Sequence, residues 1–322
     1  MPPGTVGRSP DVKVVALGGG HGLSASLAAL RRVVEDLTAV VTVADNGGSS
    51  GRLRREFGVL PPGDLRQALS ALCGDDDWGR TWARVLQHRF VSDGDLDEHA
   101  LGNLLIVTLW ELLGDHVDGL DWVSRLLGAQ GRVLPMAVTP LDITATVLGI
   151  DPAHPDAATT VRGQVEVAST TGQVSAVHLD PQHPPACPEA LAAVRAADWV
   201  VLGPGSWFTS VIPHLLVPEL RDSLVSSPAR KLVVLNLVPQ PGETDGFSPE
   251  RHLEVLCAHA PELALDAVLA DRAAVPDPRQ LTSACRALGA DLVVTDLAVG
   301  DGSPRHDPAR LALAYARLLL GA

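Results

Sequence analysis

The residues of this chain that could do chemistry cluster in four short segments. The longest reads TVADNGGSSGRLRREFGVLPPGDLRQAL over residues 42–69. Asp45 and Asn46 offer hard oxygens of the kind that hold Mg²⁺, which binds through one or two carboxylates plus phosphate oxygens. Gly47, Gly48, Ser49, Ser50 and Gly51 can form a nest of backbone N–H groups with two hydroxyls, an anion cradle. Arg52, Arg54 and Arg55 follow, and guanidinium groups neutralise phosphate charge or cover a solvated helix face. Asp64, after Pro61-Pro62-Gly63, reads either as a helix N-cap or as a second carboxylate on a metal shared with Asp45.

The second segment is Gly18-Gly19-Gly20-His21-Gly22, where glycines permit close backbone approach and a following helix offers unpaired N–H groups to an anion. The third is Gly203-Pro204-Gly205-Ser206 with Thr209 and Ser210, enclosing Trp207-Phe208, which either stack a base or pack the loop. The fourth starts at Asn236 and continues through Gln240 to Gly246, a polar run suited to recognition. His99 and Asn103 lie four apart on a helical run, a spacing that places both on one face, lining a pocket or bonding to backbone.

Other chemistry is missing from the pattern. There is no G-x-S-x-G elbow, no H-E-x-x-H and no cysteine with metal-ligand spacing among Cys73, Cys187, Cys257 and Cys285, which read as buried reduced thiols. The G-x-G-x-x-G spacing fails because Leu23 follows Gly22, and no lysine follows the glycines as a P-loop requires. NAD, flavin and zinc are therefore not expected. The pattern favours binding of a phosphorylated ligand over hydrolysis.

These loops need rigid elements to hold them. Apolar runs over 12–17 and 38–44 flank a helical stripe over 23–34 carrying Leu23, Leu27, Leu30 and Val34, the β-loop-α-β opening of a parallel sheet with helices on its faces. Helices are predicted over 64–72, 78–90, 96–113, 116–127, 189–196 and 307–320. Strands over 133–138, 143–150 and 159–167 read as an antiparallel excursion within about 131–180. Core strands return at 199–202, 232–237, 266–270 and 291–295. Four strands thus run straight into Gly-, Ser-, Asn- or Asp-rich loops, after Leu17, Ala44, Leu202 and Leu237. In an open α/β sheet ligands bind at the carboxyl ends of the strands, so the four loops predict one composite site.

With 322 residues, 46% hydrophobic and 20% charged, the chain supports one large α/β domain over 12–322 after a disordered tail at 1–11. A formal charge of −13 argues against a nucleic-acid partner, though local loops can still attract a small anion. No window suits a membrane span or a signal peptide, so a cytoplasmic location is expected, and a homodimer is the default assembly.

The strings VVALGGGHGLSASLAAL, VTVADNGGSSGRLRREFGVLPPGDLRQAL, HALGNLL, VLGPGSWFTSVIPHLLVP and NLVPQPGETDGF, in this order, resemble the YvcK-type gluconeogenesis factors of the CofD (2-phospho-L-lactate transferase)-like superfamily. The resemblance implies a three-layer Rossmann-like α/β fold with a mostly parallel sheet. It also implies a regulator of carbon metabolism, cell-wall synthesis and cell shape that binds a UDP-sugar such as UDP-N-acetylglucosamine, with cell-wall or regulatory protein partners. The transferase relatives suggest an alternative, metal-dependent transfer of a phospho-hydroxyacid from a nucleotide-activated donor, with Asp45 and Asp64 resembling the metal site. Gly203, Gly205 and Ser206 match the nucleotide-side loop, and Arg305 matches a C-terminal motif that reaches ligand phosphates. The family form carries Thr where this chain has His21 and a second Asp where it has Asn46. The second change removes an anionic metal ligand and tips the expectation toward binding without catalysis.

Overall fold

A computed structural model describes residues 8–151, 153–154, 156–275 and 277–321. Its centre is a seven-stranded sheet in which every neighbouring pair is parallel. β1 (Ser9–Gly18) lies in the middle. From it the chain runs through α1 (Gly20–Leu30) to β2 (Val34–Val41) and later to β3 (Arg132–Pro135) at one edge. It then returns to β7 (Trp199–Leu202), which pairs with the other side of β1, and continues outward to β8 (Arg230–Val234), β9 (Ala267–Asp271) and β10 (Asp291–Thr295). The strand order β10-β9-β8-β7-β1-β2-β3 reverses direction between β1 and β7, the switch point at which doubly wound sheets bind ligands.

The central strands are apolar because helices cover both faces. Val14, Val15, Ala16 and Leu17 of β1 and all of β7 are buried. Between β2 and β3 come α2 (Gly48–Phe57), α3 (Gly63–Ala71), α4 (Asp77–Gln87), α5 (Leu101–Leu113) and α6 (His116–Leu127). Between β3 and β7 lies a three-stranded antiparallel sheet of β4 (Asp142–Leu148), β5 (Thr159–Arg162) and β6 (Gln173–Asp180), with α7 (Gln164–Ala168) inserted and α8 (Pro188–Ala196) closing the return. The remaining helices are α9 (Pro213–Leu216), α10 (Pro218–Ser226), α11 (Pro249–His259), α12 (Pro278–Ala287) and α13 (Pro308–Leu320). Tyr315 of α13 is buried against α1 and shares a 2.7 Å hydrogen bond with Ser26.

Six local expectations are corrected. Val34 does not end the α1 stripe: the helix stops at Leu30, and the β-branched pair Val33-Val34 leads into β2. Asp64 is not an N-cap, since α3 starts at Gly63 and Asp64 sits in its first turn. The helix expected from 96 begins only at Leu101, because Glu98 takes a positive φ of 60° that a helix cannot accommodate. The strand expected over 159–167 ends at Arg162, where Gly163 at φ 107° turns the chain into α7. Residues 48–51 start α2 and do not form a free loop nest. β1 begins at Ser9, inside the stretch read as a tail, and residues 1–7 lie outside the described part.

Candidate functional site

A cleft of about 560 Å³ opens at the switch point. Its floor is the backbone of two glycine loops. Gly22 of α1 packs so closely on Pro204 and Gly205 that a Cβ at this position would overlap their backbone. Gly20 takes φ +58°, which lets the chain leave β1 and enter α1 within two residues. No side chain caps the helix at Gly19, so the N-terminal N–H groups and the positive end of the helix dipole stay available. One of them, the Gly20 N–H, bonds to the Asp64 carboxylate.

The β7 and β8 loops form the opposite wall. Asn236 clamps the β7 loop: its Oδ1 accepts from the Gly205 N–H at 2.9 Å and its Nδ2 donates to the Gly205 carbonyl at 2.8 Å. Glu243 braces the same loop from below. Its carboxylate accepts from the Ser206 hydroxyl at 2.6 Å, from Thr209 Oγ1 at 3.0 Å and from the Phe208 N–H at 3.3 Å. Burial pushes the Glu243 carboxyl upward, and these donors pull against the shift. Trp207 and Phe208 are fully buried under the loop, so they pack it and present no face to a base.

Of the residues singled out by sequence, Gly19, Gly20, His21, Gly22, Asp64, Gly205, Ser206, Thr209, Asn236 and Gln240 line this cleft. Glu243, from the polar run after Asn236, and His306 also line it, as do Gln164 and Ala168 of α7, which the sequence did not mark. Two of them leave acceptors free. His306 is buried, burial holds its imidazole down at about 4, and the Leu235 carbonyl beside it pulls the other way. Its Nε2 has no hydrogen-bond partner, and neither does Gln164 Oε1. No local pattern marks Gln164, because α7 reaches the cleft only through the antiparallel excursion.

The Asp45 loop is spent on structure. Asp45 Oδ1 accepts from the Gly47 N–H at 2.9 Å. Asn46 turns toward α7, donating to Glu166 Oε2 at 2.8 Å and accepting from the Val165 N–H at 3.1 Å. Asn46 is thus engaged with α7, and an aspartate here would face the Glu166 carboxylate. Arg54 strengthens the same junction through Asp142 at 2.6 Å, and Asp142 also pairs with Arg162. Gly48 and Ser50 sit at the start of α2, with Ser50 pressed against Gly63.

His99 and Asn103 do meet, though not as a helical stripe, because His99 precedes α5. Both converge on Ser49. Ser49 Oγ accepts from Asn103 Nδ2 at 3.0 Å and from the Ala100 N–H at 3.3 Å, so its own proton points to His99 Nδ1 at 3.1 Å. That fixes a neutral His99 protonated on Nε2, and burial lowers its pKa accordingly. His99 borders a separate depression with Arg52, Arg55 and Glu56. Gly203 ends the sheet by donating to the Leu17 carbonyl at 3.0 Å. Arg305 does not reach the cleft: it pairs with Asp301 at 2.8 Å and with Ser303, while its neighbours Pro304 and His306 form the wall.

Asp64 links the two regions. Burial first, then the nearby Asp45 charge, pushes its carboxyl up to about 7 against the pull of the Gly20 N–H and Arg66. Two carboxylates crowded together at the rim of an anion-binding helix start are a donor set that suits a hard divalent cation, with the remaining ligands supplied by phosphate oxygens. Among the described residues no cluster of three or more His, Cys, Asp or Glu side chains is placed to hold a metal without such help.

A doubly wound parallel sheet, with two glycine loops meeting at its switch point, places this chain among the Rossmann-like ligand-binding α/β proteins. The family model described as 2-phospho-L-lactate transferase CofD matches residues 14–300, and the chain belongs to that family. Within it the chain groups with the gluconeogenesis factors. A Mycobacterium tuberculosis protein is 53% identical over 93% of this chain and 88% of its own length. The gluconeogenesis factor of Bacillus subtilis is 35% identical over 84% of this chain and 82% of its own length. A crystal structure of a UPF0052-family protein from Bacillus halodurans superposes with a TM-score of 0.83 at 32% identity, covering 94% of this chain and 98% of that one.

Proposed function

We propose that the switch-point cleft binds a nucleotide sugar, of the UDP-N-acetylglucosamine kind, and that the chain acts as a gluconeogenesis factor by sensing it. The observation that carries this is the cleft's division of labour. One end offers the uncapped N–H groups of α1 to a diphosphate. The cleft's lining also carries two buried polar atoms without partners, Gln164 Oε1 and His306 Nε2, which call for N–H or O–H donors such as a base edge or sugar hydroxyls. The cleft volume of about 560 Å³ falls in the range of small-molecule sites. Regulation of carbon metabolism, the cell wall and cell shape, a cytoplasmic location and protein partners belong to the same proposal. Among the described residues no helix is long and apolar enough to cross a membrane.

Calorimetric titration with UDP-N-acetylglucosamine and with UDP tests it. Saturable binding that His306→Ala weakens about tenfold is expected; no heat at about 1 mM ligand would sink the proposal.

A specific observation also favours the second reading, a metal-dependent transferase acting on a nucleotide-activated phospho-acid. Asp45 and Asp64 both remain carboxylates, and the position thought to lose a ligand, Asn46, is engaged elsewhere. A bound Mg²⁺ would supply neutralisation of phosphate charge. Asp64 would hold it beside the α1 N-terminus, and Asp45 would keep Asp64 in place. If Asp45→Ala and Asp64→Ala leave Mg²⁺-dependent nucleotide binding unchanged, this reading loses its site.

A further inference from the structure

On the far side of His21 from the cleft lies a second cavity of about 360 Å³. Three elements wall it: α1 through His21 and Ser24, α3 through Arg66, Gln67 and Ser70, and the end of α4 through Gln87, with Arg89 just beyond. No carboxylate lines it. Two guanidinium groups do, in a chain whose formal charge is −13.

Neither arginine makes an ion pair with a carboxylate among the described residues, unlike about half of the chain's arginines. Arg31, Arg54, Arg132, Arg162 and Arg272, among others, pair with aspartates. Arg66 donates only to amides: its Nε reaches Asn103 Oδ1 at 2.9 Å, and a second nitrogen reaches Gln87 Oε1. Arg89 donates to the Glu98 carbonyl at 2.7 Å. Arg66 is buried, and the Asn103 bond fixes its guanidinium in place. The two guanidinium charges share one wall of the cavity; the Asp64 and Asp45 charges act on Arg66, but neither arginine makes an ion pair among the described residues. Of the other lining groups, Gln67, Gln87 and His21 can donate hydrogen bonds, while the Ser24 and Ser70 hydroxyls already donate to the Gly20 and Ala83 carbonyls. A cavity walled by two guanidinium groups and neutral donors suits a compact multivalent oxyanion held in bidentate fashion.

We propose that this cavity binds the phosphoryl group of a small phosphate ester, as a second ligand site beside the nucleotide cleft. Asp64, in the first turn of α3, lines the cleft and not this cavity. His21 lines both cavities, so an occupant of one contacts the wall of the other.

The test uses the full chain and inorganic phosphate as probe, with malonate as a dicarboxylate of similar charge. Binding is followed by calorimetry for the parent, Arg89→Gln and Asn236→Ala. Arg89 is exposed and makes one backbone contact, so its loss leaves the fold intact. Asn236 belongs to the cleft wall and reports on phosphate lodging there instead. The proposal expects saturable phosphate binding, at least tenfold weaker in Arg89→Gln, within twofold of the parent in Asn236→Ala, and at least tenfold weaker for malonate. No saturation by about 10 mM phosphate overturns it. Equal affinity in Arg89→Gln, a loss confined to Asn236→Ala, or malonate binding as tightly as phosphate overturns it too. Nucleotide binding is a separate titration, so failure here leaves the cleft's assignment standing.

Discussion

The loop after β1 and the loop after β2 carry similar residues and end in different work. Gly19 to Gly22 meets the β7 loop backbone to backbone, keeps its helix start uncapped and lines an open cleft. Asp45 to Ser50 is richer in polar groups, yet nearly all of them bond inward: Asp45 to Gly47, Asn46 to α7, Ser49 to His99 and Asn103. Position in the sheet explains the difference. The β1 loop faces the β7 loop across the switch point, where no crossover helix fills the gap. The β2 loop lies one strand further out, under α7 of the antiparallel excursion. A polar-rich loop becomes a site only where the topology leaves its groups without protein partners; elsewhere the cost of burying unpaired polar atoms recruits them into structure.

The largest test of this contrast concerns Asp64, which joins the two regions. A carboxyl raised to about 7 binds a proton in the folded state at pH values where the unfolded chain has lost it. Its stabilising contribution is complete below the ordinary carboxylate pKa and disappears as pH rises toward 7. Asp64→Asn is expected to flatten this fall, gaining up to about 4 kcal/mol relative to the parent at pH 8 in chelator-treated protein. Urea unfolding at pH 5 and pH 8 measures it; equal slopes in both proteins would break the link.

The next effect strikes the open loops. Gly22→Val places atoms inside the Pro204–Gly205 backbone and forces the two loops apart. A loss of about 3 kcal/mol in stability is expected, and the nucleotide titration should fall silent. A normal melting curve with intact binding would mean that the loops do not meet as described.

Ser49→Ala probes the closed loop. It strands His99, Asn103 and the Ala100 N–H without touching the cleft. Stability should drop by about 2 kcal/mol while nucleotide affinity stays within twofold. A large affinity loss at unchanged stability would place Ser49 in the site after all.

The smallest expected effect is that of Asn236→Ala, which removes two bonds to Gly205 at the half-exposed cleft wall. Stability falls by about 1 kcal/mol and nucleotide affinity by about tenfold. Comparing Ser49→Ala with Asn236→Ala in one denaturation and one titration series separates structural from binding polarity directly.

Much of the fold was legible from residue pattern. The buried apolar runs marked β1, β7, β8 and β9 to within a few residues, because strands covered on both faces leave a continuous hydrophobic trace, and the apolar edge strand β10 was found as well. The boundaries that failed did so for backbone reasons that residue type signals weakly. Glu98 adopts a positive φ, Gly163 turns a strand into a helix, and α2 starts within a run that reads as loop. Half of the candidate site residues line one cleft, since glycines at strand ends serve the same geometric need in any parallel sheet. Gln164 was not singled out, Glu243 was read only as part of a polar run, and Arg305 was read toward a ligand but turns to Asp301.

The sequence by itself determined the class of architecture and the presence of glycine loops at strand ends, because both follow from local periodicity and from the backbone freedom of single residues. Only the tertiary structure decided which loops form the cleft. That depends on β7 pairing with β1, and on bonds such as Asn46 to Glu166 and Asn236 to Gly205, which span 120 and 31 residues of chain. Such a contact must offset the entropy of closing a long loop against a particular neighbour, and no local pattern of residues encodes that neighbour.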